Sequence, residues 1–532
     1  MADRMSFWAW GLESEEPTDA ARAALARDLS GRYGTEVTAR PVPDLADAEL
    51  RPPRIAAPDA LAGFCFDDIY ERARHAYGAH FTDRTRAFNL DFPNPPDLVA
   101  HPRTEAELEA VLGWCHDEGH AVVPYGGGSS VVWGVDPPEG VDACVTIALD
   151  RLDRVLEVDA TSRAARIQAG VFGPALESQL RASGHTLRHF PQSFRFSTLG
   201  GWIATRSGGH YATNHTHIDD FVESVRMLTP QGWWESRRLP GSGAGPSPDR
   251  MVIGSEGILG IITEAWMRIQ ARPTYRATAG VVFGSWAAGT EAVRHIVQAK
   301  LWPANLRILD PSEAERAAGL DGNQALVIIA FESAELPQDA NIWAAVGLAR
   351  DCGGHIPDEN VVVDNGTGAP TGHEGPVGEW RRNFIGVDPG TATSLGLLAD
   401  TFETAITWDR WPEFDATVRA EMGKVLGEVC QHGELSCRFT HVYPDGPAPY
   451  YTWSGMGRQG SEIAMWQEVK SAANEVVVKA GGTVTHHHAV GRMHRPAAYD
   501  LQRPELFAES LRAVKRTLDP KGILNAGVLI DP

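Results

Sequence analysis

The chain is short of cysteine, of cations and of long apolar runs. Its six cysteines, Cys65, Cys115, Cys144, Cys352, Cys430 and Cys437, are irregularly spaced and form no C-x-x-C pair. That argues against a zinc ribbon and a disulfide framework, and points to the cytoplasm. Lys and Arg number 48 against 69 Asp and Glu, a formal net charge of -21. Nucleic-acid affinity is built largely from Lys and Arg, so no nucleic-acid partner is expected, and an anionic membrane surface is disfavoured. No apolar run approaches the roughly 18 residues that span a bilayer, so no transmembrane segment is expected. Met1-Ala2-Asp3-Arg4 opens no secretory signal pattern, since acidic residues soon follow. What is present is an ordinary soluble composition, 43% apolar and 22% charged over 532 residues, enough for two or three domains.

The chain is organised around one loop, Pro124-Tyr125-Gly126-Gly127-Gly128-Ser129-Ser130-Val131. The apolar run Ala121-Val122-Val123 leads into it as a short strand. Three glycines remove every Cβ, so the backbone can turn with positive φ and approach a ligand. The serines add hydroxyls to the backbone N–H groups, and no Lys or Arg is present. Aimed N–H groups without cations suit the pyrophosphate of a dinucleotide. A glycine-rich surface turn is the plainer alternative. A Walker A loop would need Gly-Lys-Ser/Thr, and a Rossmann loop would need G-x-G-x-x-G opening a helix. Here Val131-Val132-Trp133-Gly134 is followed by Pro137-Pro138, so any dinucleotide is bound by another architecture.

Residues 1–90 read as mostly helical, with helices over 18–29 and 66–75 and a proline-punctuated connector over 40–58. Thr104 is a predicted N-cap for a helix over 105–117, with Glu107 completing a capping box and Gly119 ending it. Strands are predicted over 143–149 and 218–229, a hairpin over 154–158 and 164–169, and a helix over 172–183. Two more loops share the first one's character. One is Pro191-Gln192-Ser193-Phe194-Arg195-Phe196-Ser197-Thr198-Leu199-Gly200-Gly201-Trp202-Ile203-Ala204-Thr205-Arg206-Ser207-Gly208-Gly209-His210. The other is Gly254-Ser255-Glu256-Gly257-Ile258-Leu259-Gly260-Ile261-Ile262-Thr263.

In this order the three loops resemble the FAD-binding domain of the vanillyl-alcohol oxidase / p-cresol methylhydroxylase family of FAD-linked oxidases. The closing Leu518-Asp519-Pro520-Lys521-Gly522-Ile523-Leu524-Asn525-Ala526-Gly527 is similar to that family's last segment. Within the family, the alkyldihydroxyacetonephosphate synthases are the type most resembled. They replace an acyl chain with a fatty alcohol, through a flavin N5 adduct, in ether-lipid synthesis. The segments carrying that likeness are Asn305-Leu306-Arg307-Ile308-Leu309-Asp310, Asp400-Thr401-Phe402-Glu403-Thr404 with Trp408, Tyr450, and His486-His487-His488-Ala489-Val490-Gly491. The resemblance implies an α+β fold. A two-subdomain FAD-binding domain (91–277) is joined to an antiparallel-sheet cap with flanking helices (278–489). A C-terminal segment (490–532) returns to the FAD domain, and a helical extension (1–90) precedes it. It implies non-covalent FAD held by the three loops, with Glu256, Gly257, Gly260, Ile261, Ile262 and Asn525 among its contacts. It also implies a small or lipid-like substrate, a homodimer and compatibility with peripheral membrane contact.

The candidate catalytic residues are Tyr450, His486, His487, His488, Arg307 and Arg438. The triple histidine reads as a metal site, a structural cluster or a flavin-side acid/base cluster; the resemblance favours the last, and no metal is expected. In a strand, His486 and His488 would face one way and His487 the other. Tyr450 and Tyr451 read as a core aromatic pair or as a base. A base would need its pKa of about 10 lowered, by Arg438 or by protonated histidines. Arg307 and Arg438 read as anion ligands or structural ion pairs. Arg206-Ser207-Gly208-Gly209-His210-Tyr211 resembles a covalent-FAD histidine loop, but Ser129 stands where that histidine belongs, so non-covalent FAD is expected. The synthases carry a further arginine about nineteen residues before the tryptophan matched by Trp408, and here that position is Pro389. The runner-up activity is an FAD-dependent oxidase or dehydrogenase of a hydroxy acid or alcohol.

Overall fold

A computed structural model of the chain describes residues 4–34, 36–210, 215–373, 375–384 and 390–531, apart from the side chains at 382–384 and 497. Pro389 lies outside the described residues. The first sheet has the order β1-β2-β4-β3, from β1 (Cys65–Phe66), β2 (Leu98–Ala100), β3 (Ala121–Tyr125) and β4 (Cys144–Ala148). β2, β3 and β4 run parallel, and β4 is buried at every position, as an unbroken apolar run in a covered sheet should be. The helix Glu105–Glu118 crosses from β2 to β3, capped by the Thr104 hydroxyl and ended at Gly119 with φ 77°. The predicted capping box closes differently. The Glu107 carboxylate accepts the N–H of Arg103, not that of Thr104, so the reciprocal bond falls one residue early.

The next strands are β5 (Val155–Asp159), β6 (Ala164–Gln168), β7 (His185–Thr186), β8 (Val222–Thr229), β9 (Gly232–Glu235), β10 (Ile261–Arg268) and β11 (Gln270–Ala271). Five form the antiparallel order β5-β6-β10-β8-β9, and β7 pairs with β11. The strand expected over 218–229 starts at Val222, because Ile218–Asp220 turn as a short 3-10 helix. Leu112, Ile147, Ile167, Trp202, Met227 and Ile261 belong to one core that joins both sheets. The C-terminus returns to it: Ile523 O accepts the Val122 N–H and Asn525 N–H donates to Val122 O, both at 2.8 Å.

The third sheet has the antiparallel order β15-β12-β14-β13-β17-β18-β16. Its strands are β12 (Tyr275–Phe283), β13 (Asn305–Leu309), β14 (Ala325–Ser333), β15 (Val362–Asn365), β16 (Leu397–Glu403), β17 (Gln431–Val442) and β18 (Pro447–Met456). One face is apolar: Val281, Ile308, Val327, Phe439, Tyr451 and Trp453 pack under the helices Trp286–Gln298, Asp339–Asp351, Trp411–Val429 and Glu462–Lys479. Alternation sends Asn305, Arg307, Arg438 and Tyr450 to the other face. Among the described residues of the first 90, α-helix is confined to Asp19–Tyr33, Ile69–Arg74 and Phe81–Phe88, where prolines are sparse, with short 3-10 turns at Glu13–Glu15 and Leu45–Asp47. Among the described residues no helix is long and apolar enough to cross a membrane.

Candidate active site

The glycine loop is pressed against the second loop. A Cβ on Gly126 would lie 2.3 Å from Thr198 Oγ1, and one on Gly127 would lie 1.9 Å from Phe196 O. Gly128 has φ +68°, a left-handed turn that favours glycine. Although the loop holds no cation, Arg74 reaches it from the helix Ile69–Arg74, donating to the Tyr125 hydroxyl and, at 3.1 Å, to Gly127 O. Ser130 Oγ accepts the Gly134 N–H at 3.0 Å, shaping the turn, and Gly257 packs on Pro124.

In the second loop several expected donors are engaged with the protein. Ser193 and Ser197 bond each other, Ser197 Oγ accepts the Trp202 indole N–H, and Thr198 caps the helix Leu199–Thr205. Thr205 donates to Gly201 O, and Ser207 Oγ lies 2.8 Å from His189 Nε2. Gly200 lets this helix sit on Ala169, and Ala204 O accepts the Glu256 N–H. The third loop is tied across: Glu256, at φ +49°, accepts the N–H groups of Val490 and Gly491 at 2.9 and 2.8 Å. Burial pushes its carboxyl up to about 7 against those two bonds. The Asn525 amide donates to Gly134 O and Glu256 O. Around these joints Ser255 Oγ and Asn525 Oδ1 are buried without a hydrogen-bond partner. Buried polar groups are rarely left so, and a cradle of Cβ-free backbone with spare donors and acceptors fits a dinucleotide.

Between the second loop and the cap sheet lies a cavity of about 770 Å³, lined by Gln192, Phe194, His210, Asn305, Trp380 and Arg381 among others. None of the six candidate catalytic residues lines it; Arg307 touches two of its lining residues, Asn305 and His210, and the others gather along the cap sheet. Register sets Leu309, Arg438, Tyr450 and Glu403 in one cross-strand row. A bulge at Thr440 then re-aims β17, so that His441 joins Arg438 and Tyr450 on the same face. Residues 485–488 form no strand; they bend around Glu403, so His486, His487 and His488 converge instead of alternating. His486 Nδ1 lies 3.1 Å from His487 Nδ1, and ring nitrogens of His441, His486 and His487 all lie within 4.8 Å. His486 Nε2 meets the Tyr443 hydroxyl at 2.8 Å, which also meets His217 Nε2 at 3.1 Å. His441 Nε2 bonds Gly209 O at 3.0 Å, tying the cluster to the second glycine-rich loop, while its Nδ1 is buried without a partner.

Tyr450 stacks on His487, ring centroids 5.9 Å apart, and meets His488 edge-on at 5.6 Å. The Arg438 guanidinium lies 4.2 Å from the Tyr450 ring centroid and pairs with buried Glu313 at 2.7 Å. Tyr451 faces the core and donates to Asp415, so the two tyrosines divide as strand alternation dictates. Fully buried Arg307 donates to His210 Nδ1 and Asn305 Oδ1. Burial pushes the Tyr450 phenol up, with Arg438 pulling against it. Burial also drives His486, His441 and His210 well below the usual histidine range, and His488 to about 3. These four rings are neutral, so they do not depress the tyrosine in the way protonated histidines would. Sequence reasoning missed Arg74, His441 and Tyr443, and singled out Glu403 only within the segment 400–404, without a role. Each is distant along the chain from the motif it serves, and His441 also needs the bulge.

The FAD binding domain family matches residues 96–236, and the C-terminal domain family of FAD linked oxidases matches residues 272–529. An alkyldihydroxyacetonephosphate synthase of Dictyostelium discoideum is 28% identical over 480 residues, 87% of this chain and 78% of that protein. A solved alkyldihydroxyacetonephosphate synthase superposes with a TM-score of 0.76 at 25% identity, covering 94% of this chain and 91% of its own. A substrate-bound p-cresol methylhydroxylase superposes at 0.67 and 15% identity, covering 88% and 94%, which shows a shared fold. With both family domains in order along one chain, and glycine loops built to take the cofactor, the chain belongs to the FAD-linked oxidases and is an FAD-dependent flavoenzyme.

Proposed function

We propose that this enzyme exchanges the acyl chain of an acylated ketone for a fatty alcohol, as the alkyldihydroxyacetonephosphate synthases do. The observation that carries the reading is the meeting of Tyr450, Arg438 and the histidine cluster beside the Gly208–Gly209 turn, on one face of the cap sheet. Bound FAD supplies an electrophilic, redox-active ring. The chain's own residues supply proton handling. Tyr450 takes the proton from the substrate carbon, Arg438 over its ring stabilises the phenolate, and the adjoining histidines receive the proton. The catalytic roles of Tyr450, His486, His487, His488, Arg307 and Arg438 are part of this proposal, as is FAD contact by the three loops and Asn525. The test is incubation with acyl-dihydroxyacetone phosphate and a fatty alcohol. Ether product and free fatty acid are expected in equal amounts, and their absence would remove the exchange reading.

A second reading has an observation in its favour. The ring nitrogens of His441, His486 and His487, within 4.8 Å of one another, would equally accept the hydroxyl proton of a hydroxy acid or alcohol undergoing oxidation. FAD is non-covalent in both readings: Ser129 stands in the glycine loop, and His210 Nδ1 accepts from Arg307. Acid denaturation is therefore expected to leave yellow FAD in the supernatant and a colourless pellet, and a yellow pellet would contradict this. A cytoplasmic setting is supported by six free cysteines, Cys65, Cys115, Cys144, Cys352, Cys430 and Cys437.

A further inference from the structure

Glu403 ends β16 directly across from Tyr450. Its Oε2 accepts the His486 N–H at 2.6 Å, and its Oε1 accepts the His488 N–H at 3.0 Å and the Thr485 hydroxyl at 2.5 Å. The His487 N–H lies 3.2 Å from both oxygens. Three successive N–H groups aimed at one carboxylate make an anion nest. The same oxygens stand 3.4 Å from His487 Nδ1 and 3.6 Å from His488 Nδ1. The side chain is 3% exposed, so the charge is stabilised by these groups and not by water.

The ring partners extend the arrangement. A proton on His487 Nδ1, beside Glu403, can be donated to His486 Nδ1, which leaves the His486 proton on Nε2 to donate to Tyr443. We infer that Glu403 is the positioning residue and counter-ion of the histidine cluster, fixing the loop through its backbone and the rings through their Nδ1 atoms. The inference rests on the reading of the cluster as a proton acceptor. When the substrate proton reaches a ring nitrogen, the C–H electron pair stays with the substrate carbon and the cluster becomes cationic. A cation in a dry pocket is costly unless paired. The neighbouring charges are otherwise committed. Arg438 pairs with Glu313, Asp400 with His80 and Lys470, and His210 accepts from Arg307. His217, His441, Tyr443, Tyr450 and His494, which also face the cluster, bring no negative charge while they are neutral. Burial drives His486 and His488 toward neutrality, and Glu403 is a group acting against it.

Glu403→Gln keeps the shape and an acceptor oxygen while removing the charge. FAD-loaded wild type is expected to carry the His487 and His488 protons on Nδ1, read from the ¹⁵N shifts of the rings. E403Q is expected to lose that bias, and its turnover of acyl-dihydroxyacetone phosphate with a fatty alcohol to fall about 100-fold or more. The deuterium isotope effect at the acyl-bearing carbon is expected to rise. Loss of folded enzyme would lower turnover without moving the isotope effect. Unchanged ring protonation in E403Q, with turnover within a few-fold of wild type, would overturn the inference. If wild type does not turn over this substrate, the exchange reading has failed, and the ¹⁵N spectra still decide the role of Glu403. If E403Q does not retain FAD, Glu403→Asp takes its place. It keeps the charge and is expected to keep the Nδ1 protons; a wild-type-unlike mixture in E403D would overturn the inference.

Discussion

Tyr450→Phe is expected to retain FAD and fold and to lose about 10²–10⁴ in turnover, the usual cost of one acid/base group. The substitution removes a single oxygen. The ring's stacking on His487 and its contact with Arg438 both survive it, so packing is nearly conserved. Burial favours the protonated phenol, so the hydroxyl works as a base only when its proton has somewhere to go. The rings of His487 and His488 stand against it, centroids 5.9 and 5.6 Å away, as the nearest bases to receive it. The check is turnover per bound FAD, with the visible spectrum confirming the loading. Turnover within a few-fold of wild type would return Tyr450 to the role of a core aromatic.

Arg438→Ala is expected to be the most destabilising of these changes, by about 3–5 kcal/mol, because it strands Glu313 in the interior. The pair is 8% and 2% exposed, and Glu313 lies in the first turn of the helix Pro311–Ala318, under the sheet. Replacing both partners by leucine is expected to restore most of the stability, since a buried pair and a well-packed apolar pair are often nearly equivalent. Activity is not expected to return, because the cation over Tyr450 remains absent. Denaturant midpoints of wild type, Arg438→Ala and the double variant measure the first effect, and turnover measures the second. A single variant with an unchanged midpoint would mean that Glu313 finds another partner. A double variant with full turnover would mean that Arg438 is structural only.

Local pattern carried a good deal of this. Thr104 and Gly119 bound their helix because capping is a short-range matter of side-chain oxygens and positive φ. The glycine loop was legible as a close-approach turn, but what it approaches was not. Gly127 meets Phe196 O from the second loop, about seventy residues away. Arg74 was invisible for the same reason, since nothing in the helix Ile69–Arg74 indicates that it ends beneath Tyr125. The histidines were found but misoriented. Strand alternation splits them, whereas the nest around Glu403 bends the backbone and gathers them. His441 was missed because a single bulged residue reverses the face on which β17 presents it. A base at Tyr450 needs a lowered phenol, but burial neutralises His486 and His488 and outweighs Arg438.

The most direct test of the central claim is the flavin spectrum during turnover without oxygen. FAD-loaded protein is mixed anaerobically with acyl-dihydroxyacetone phosphate and a fatty alcohol, and separately with a panel of hydroxy acids and alcohols. Acyl-for-alkyl exchange involves no net redox change, so the spectrum is expected to end as oxidised flavin while ether product accumulates. Bleaching by a hydroxy acid or alcohol, with no ether formed from the acylated ketone, would contradict the account and establish an oxidase or dehydrogenase.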